Sequence, residues 1–169
     1  MIYTSLFPAI PNGLKHLTTL LDEGKNYSVS KNFDFDILLH SRLAPDQFPL
    51  IKQVQIACDT AKHGVARLIG KDAPIHDDSE KNLDDLKNRI VSVKDFISSF
   101  SKTDFDGAES RKIKTPRWGE KYLTGENYTR YHVIPNFYFH LTTAYSILRH
   151  NGVDIGKKHF LGEMPFQTE

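Results

Sequence analysis

Four stretches of apolar residues at helical spacing predict an all-α chain folded as a four-helix bundle with one irregular insertion before the last helix. The stripes are Ile10, Leu14, Leu17, Leu20 and Leu21; then Ile51, Val54, Cys58, Ala61, Val65 and Leu68. Leu83, Leu86, Ile90, Val93, Phe96, Ile97 and Phe100 make the third, and Phe137, Tyr138, Leu141, Tyr145 and Leu148 the fourth. Gly24, Gly70 and Gly152 stand where three of them stop, as helix-ending glycines do.

Taken in order, the first helix is expected over 4–23, with Pro8, Pro11 and Gly13 bending its opening turns. Lys25 to Gln47 reads as a long connection, in which Phe33-Asp34-Phe35-Asp36 suits either a short strand or a packed extended arm. Asp46 is a suitable N-cap for a second helix over 48–69, with Pro49 in its first turn. Beside its apolar stripe, Gln55, Asp59, Lys62 and Ala66 repeat with the same period, so one face lines a core and the next a polar cavity. Asp77, Asp78 and Glu80 precede a third helix over 82–100, where negative charge complements the positive helix end, and no chemistry is assigned to them. Residues 101–134 hold Gly107, Pro116, Gly119 and Gly125, and a small hairpin is expected between Arg111–Lys114 and Glu120–Leu123. Pro135 opens the fourth helix, over 135–150. The tail from Val153 reads as a covering arm, and the four helices are expected to run antiparallel within one domain spanning 1–169.

Composition narrows the function. Charged residues make up 25% and apolar ones 39%, as in an ordinary globular protein. The 22 Lys and Arg against 21 Asp and Glu give no field that favours nucleic acid or an anionic membrane. Basic residues near Trp118 read as a solvated hairpin face, since aromatic and basic residues do not interleave over a wider surface. No segment approaches the ~20 apolar residues of a membrane helix, and the N-terminus lacks signal-peptide features, so a cytoplasmic location is expected. The single cysteine, Cys58, sits in an apolar run and reads as a small buried hydrophobe rather than a reactive thiol. Gly-rich phosphate loops, zinc-type cysteine clusters and nucleophile elbows are missing from the sequence.

Asn136 and His140 stand four residues apart on one face of the last helix, followed by Leu148-Arg149 and Gly152. With the second-helix segment QVQIACDTAK and the acidic loop before the third helix, this pattern resembles the DinB/YfiT superfamily of metalloenzymes. It is most similar to an uncharacterised DinB-like family of unknown function, over nearly the whole chain. The resemblance implies a site built from one histidine of the second helix and two of the last. Here Asn136 stands in for one of that pair, and the second helix offers Gln55, Asp59 and His63. Amide oxygens are weak ligands for zinc or nickel. A divalent metal, with His140 as its best single ligand, is therefore disfavoured by Asn136, and stoichiometric tight binding is not expected.

Two functions follow. In the first, a divergent hydrolase or thiol-transferase uses His140, Asp59 and His63 for catalysis, in a cavity between the second and fourth helices lined by Gln55, Lys62, Asn136 and Tyr145. In the second, the bundle binds a small ligand or pairs as a homodimer without catalysing a reaction. Asp59 pairs with either His63 on the helix surface or Lys62 as a buried ion pair. His140 is either a cavity group, more important for function than for folding, or a core histidine held by a hydrogen bond. The resemblance also suggests a homodimer, with Tyr3, Phe7 and Ile10 extending an apolar surface on the first helix.

Overall fold

The structure is a computed structural model that describes residues 2–167; Met1 and the last two residues of the expected covering arm lie outside the described residues. A short helix α1 (Ile2–Leu6) is followed by α2 (Ala9–Ser30). Pro11 falls in the first turn of α2, where the helix has no partner for a backbone N–H, so it costs little. Gly24 does not end this helix. It is a close-approach position, where a Cβ would lie 2.9 Å from Leu148 and 3.1 Å from Phe35. Tight packing there outweighs the ~1 kcal/mol that glycine costs in a helix.

The segment at Phe33–Asp36 is neither strand nor extended arm. The Asp34 carboxylate accepts the Asp36 N–H at 3.0 Å, which turns the chain into the short helix α3 (Asp36–His40) and buries Phe35, Leu38 and Leu39. Pro49, not Asp46, stands at the N-cap position of α4 (Leu50–Ile69), with no side-chain capping bond, and the helix ends at Gly70 in the left-handed conformation with φ 70°. Asn82 caps α5 (Leu83–Ser98): its side chain accepts the Asp85 N–H at 2.9 Å. Asp84 and Asp85, rather than the acids of the preceding loop, occupy the first turn.

The expected hairpin forms, as strands β1 (Lys112–Ile113) and β2 (Leu123–Thr124), antiparallel with Ile113 opposite Leu123. The last helix begins ten residues before Pro135. Helix α6 (Gly125–Tyr128) leads through a π turn, Thr129–Val133, directly into α7 (Ile134–His150). Pro135 has no N–H to donate to the Tyr131 carbonyl, and the widened turn lies where that bond would be. The tail is not wholly irregular: α8 (Lys157–Leu161) packs on α2.

Helices α2 and α4 each pack against α5 and α7, so they lie diagonally across the bundle. The expected all-antiparallel arrangement is corrected by the contacts. Gly64 meets Val133, Thr60 meets Asn136 and Gln53 meets His140, so α4 and α7 run oppositely. Residues 70–82 instead return along α4, since Lys52 reaches Asp78 and Gln55 reaches Glu80. Arg89 then meets Asp59, and Lys71 at the end of α4 lies over Phe100, so α5 runs parallel to α4. Gly13 faces Phe137 and Gly24 faces Leu148, so α2 and α7 are parallel too. The core between them is continuous, from Leu14 and Leu17 through Val54, Ala61, Ile90 and Val93 to Phe137 and Leu141. Among the described residues, no helix is long and apolar enough to cross a membrane.

Candidate functional site: two polar seams of one helix

Helix α4 sends polar side chains two ways. Gln53 and Thr60, seven residues apart, face α7, while Gln55, Asp59 and Lys62 face α5 and the loop before it. The expected single cavity is therefore two separate seams.

In the α4–α7 seam, the Asn136 amide donates to the Thr60 hydroxyl at 2.7 Å. The Gln53 amide donates to the Phe48 carbonyl at 2.9 Å, which leaves its oxygen facing His140 Nδ1 at 2.7 Å. An amide oxygen only accepts, so Nδ1 carries the proton. Burial holds the His140 pKa below the ordinary histidine value, and the neutral ring keeps a free lone pair on Nε2. Among the described residues Nε2 has no hydrogen bond, and the side chain as a whole is 8% exposed.

In the α4–α5 seam, Arg89 is the centre, with 1% of its side chain exposed. Nη1 donates to Asp78 at 2.7 Å and Glu80 at 2.8 Å, and Nη2 donates to Asp59 at 2.7 Å. Lys62 pairs with Asp59 at 3.0 Å, and Lys52 with Asp78. Three cations thus meet three carboxylates, a balance that offsets the cost of burying Arg89. Burial works against the charged form of Asp78 and Glu80, but bonds from Lys52 and Arg89 to the first, and from Arg89 to the second, prevail and keep both carboxyls below their usual range. Lys62 donates to His76 Nδ1 at 2.8 Å, so the ring proton is on Nε2, which donates to Ser92 at 3.3 Å. Burial, then the charge of Lys62, lowers the His76 pKa. An open cleft of about 570 Å³ lies over this network, lined by His76, Glu80, Lys81, Asn88, Arg89 and Ser92 among others.

The other expected site residues lie apart. Asp59 forms the Lys62 pair rather than a His63 pair, and no hydrogen bond or ion pair joins it to His63. His63 is half-buried, with a pKa lowered by burial and then by Arg67 and Lys62. Tyr145 sets its ring edge-on against Phe160 of α8, away from His140. Cys58 is fully enclosed and its thiol is pushed up to about 12 by burial, which removes it from nucleophilic chemistry.

The donor set does not fit a three-ligand metal. Asn136 turns its NH2, which has no lone pair, toward α4, and the facing group is a threonine hydroxyl. Among the described residues no three of His, Cys, Asp and Glu converge to hold an ion. Arg89, His76, Gln53 and Thr60 belong to these seams without being expected there from the sequence. Arg89 had a signal: it lies three residues after Leu86 and four before Val93, inside the apolar stripe, where an unpaired charge does not survive.

Residues 2–161 match a family model described as a domain of unknown function, DUF1993. A crystal structure of a DinB family member protein from Shewanella denitrificans is similar to the chain at 53% identity and a TM-score of 0.93. The match covers 95% of this chain and 92% of that one. No curated protein matches the chain.

Proposed function

We propose, from the premise that this chain belongs to the DUF1993 family and has a DinB-type bundle, that it is a non-enzymatic protein that binds a small ligand without a metal. One observation carries the reading: the residues at the family's metal positions are engaged with α4, Asn136 with Thr60 and His140 with Gln53. Two acceptors there have no donor among the described residues, the Asn136 amide oxygen and His140 Nε2, the latter beside the edge-on ring of Phe139, which is 57% exposed. That combination suits a ligand with a hydroxyl or N–H donor and a flat apolar body.

The lone pair on Nε2 favours a second reading, a divergent hydrolase or thiol-transferase in which His140 accepts a proton. Asp59 gives that reading no help, because Arg89 and Lys62 hold its carboxylate. Tag-free protein separates the two. It is loaded in turn with zinc and nickel, desalted and analysed for metal, then assayed with a chromogenic ester and with a thiol plus an electrophilic acceptor. The expected result is far less than one metal per chain and no turnover that His140→Ala removes, with phenol shifting the His140 imidazole resonance saturably. About one metal per chain lost in His140→Ala, or turnover dependent on His140, overturns it. We also propose that the protein pairs as a homodimer through the exposed residues Tyr131, Pro135 and Phe139. The N-terminal surface expected for this is already used: Ile10 is buried, and Tyr3 and Phe7 stack on each other and meet Phe105 edge-on.

A further inference from the structure

The hairpin and the C-terminal end of α4 enclose another cleft, of about 420 Å³. It is separated from His140 and Gln53 by most of the length of α4, on the order of 25 Å. Its walls carry Arg67, Lys71, Arg111, Lys112 and Lys114 against one carboxylate, Asp72. A chain with a formal net charge of +1 thus gathers five cations around one opening.

Four of the five have something else nearby. Lys71 approaches Asp104 at 3.6 Å, Lys114 reaches Glu120 at 3.4 Å, and Lys112 lies over the Tyr122 ring. Arg67 donates to the neutral Tyr128 hydroxyl at 2.9 Å. Arg111 differs: among the described residues its guanidinium has no hydrogen bond and no ion pair. Its Nε is enclosed without a partner, and the side chain lines the cleft with Nη1 and Nη2 over Gly70. Gly70 makes this placement possible, because a Cβ there would collide with Arg111 Nη1. The ordinary role for such an arginine is to bond the last carbonyls of the helix, and no such bond is made.

We propose that this cleft binds a small phosphate-type oxyanion, either free or carried as a monoester. The two Nη groups of Arg111, unpaired among the described residues, supply a fork that fits two oxygens, with Arg67, Lys71, Lys112 and Lys114 supplying charge around it. The C-terminus of α4 adds about half a negative charge, which opposes an anion but is small against this cationic excess.

Trp118, the only tryptophan, touches Tyr128 edge-on, and Tyr128 is the group that Arg67 holds, so its fluorescence reports on the cleft. Full-length protein is titrated with inorganic phosphate and, separately, with phenyl phosphate, against sodium chloride at matched ionic strength. A saturable change with the first assigns free phosphate, and one with the second alone assigns a monoester. Arg111→Gln is expected to weaken either by about tenfold or more, given the strength of a forked arginine–phosphate contact. If that variant does not fold by circular dichroism, Lys112→Gln with Lys114→Gln, both exposed, is expected to weaken binding several-fold. No response beyond chloride, or equal affinity in the folded variants, overturns the proposal. So does a response to single-stranded oligonucleotides that grows with their length and exceeds that to either phosphate, which would assign the cleft to nucleic acid.

Discussion

One proton fixes the character of His140. Gln53 must donate to the Phe48 carbonyl, so it accepts from Nδ1, and Nε2 is left with a free lone pair. The same bond makes the histidine a brace, because Gln53 is 1% exposed and its oxygen has no other donor. His140→Leu is expected to strand that oxygen and cost about 2 kcal/mol, while His140→Gln can still donate and stays within about 1 kcal/mol. Urea melts of the two variants check this; equal losses would show that the hydrogen bond is not what matters. The charge state gives a second expectation. Burial lowers the pKa of His140, and burial with Lys62 lowers that of His76, so the unfolded chain binds more protons below its ordinary histidine pKa of about 6.5. Stability is then fully present above about pH 6.5 and falls as the pH drops through that value toward the lowered folded pKa values. The denaturation midpoint should be lower at pH 5.5 than at pH 7.5, and His140→Gln should narrow the difference.

Helix α4 shows how much of the site could be read in advance. Its apolar stripe, its stop at Gly70 and the second row Gln55, Asp59 and Lys62 are all legible, because helical period depends only on the residues of the helix itself. What faces that row is not legible, since it depends on the direction of the next helix. A short turn would have made α5 antiparallel; the crossover at 70–82 makes it parallel and brings Asp78, Glu80 and Arg89 over the row instead of His140. Likewise the π turn before Pro135 could not be read from a proline that suits a helix start equally well. The Arg89 cluster is what fastens the crossover to the bundle. Arg89→Leu leaves three carboxylates against two lysines, with Glu80 losing its only cation among the described residues, and is expected to cost about 3–5 kcal/mol at pH 7. Asp78 and Glu80 have lowered folded pKa values, so their share of stability is present above the ordinary carboxylate range and is lost as the pH falls below about 4. The gap between wild type and variant should therefore shrink in acid, which denaturant melts at pH 7 and pH 3.5 would measure. A gap independent of pH would mean that packing, not charge, holds the crossover.

At the scale of the molecule, the up-down-down-up course of α2, α4, α5 and α7 leaves α7 between α2 and α4, with its remaining side free of the other three long helices. That side carries aromatic surface out of proportion to a helix in water: Tyr131 is 69% exposed and Phe139 57%, with Pro135 exposed between them. Residues four apart on an α-helix lie one above another, so Pro135 and Phe139 share one face of α7, with Tyr131 exposed in the widened turn just before it. Phe139 also touches His140, so a partner seated on that face would screen the His140 ring from bulk water and strengthen a hydrogen bond made at Nε2. A second copy is the simplest such partner, because a two-fold axis lets the same face meet itself. Light scattering is expected to give twice the chain mass at micromolar concentration. Phe139→Glu puts two like charges near that axis and should yield monomers with unchanged helix content. A wild-type monomer throughout that range would sink the pairing. A dimer insensitive to Phe139→Glu would move the interface to another face and leave the exposed aromatics of α7 to the ligand alone.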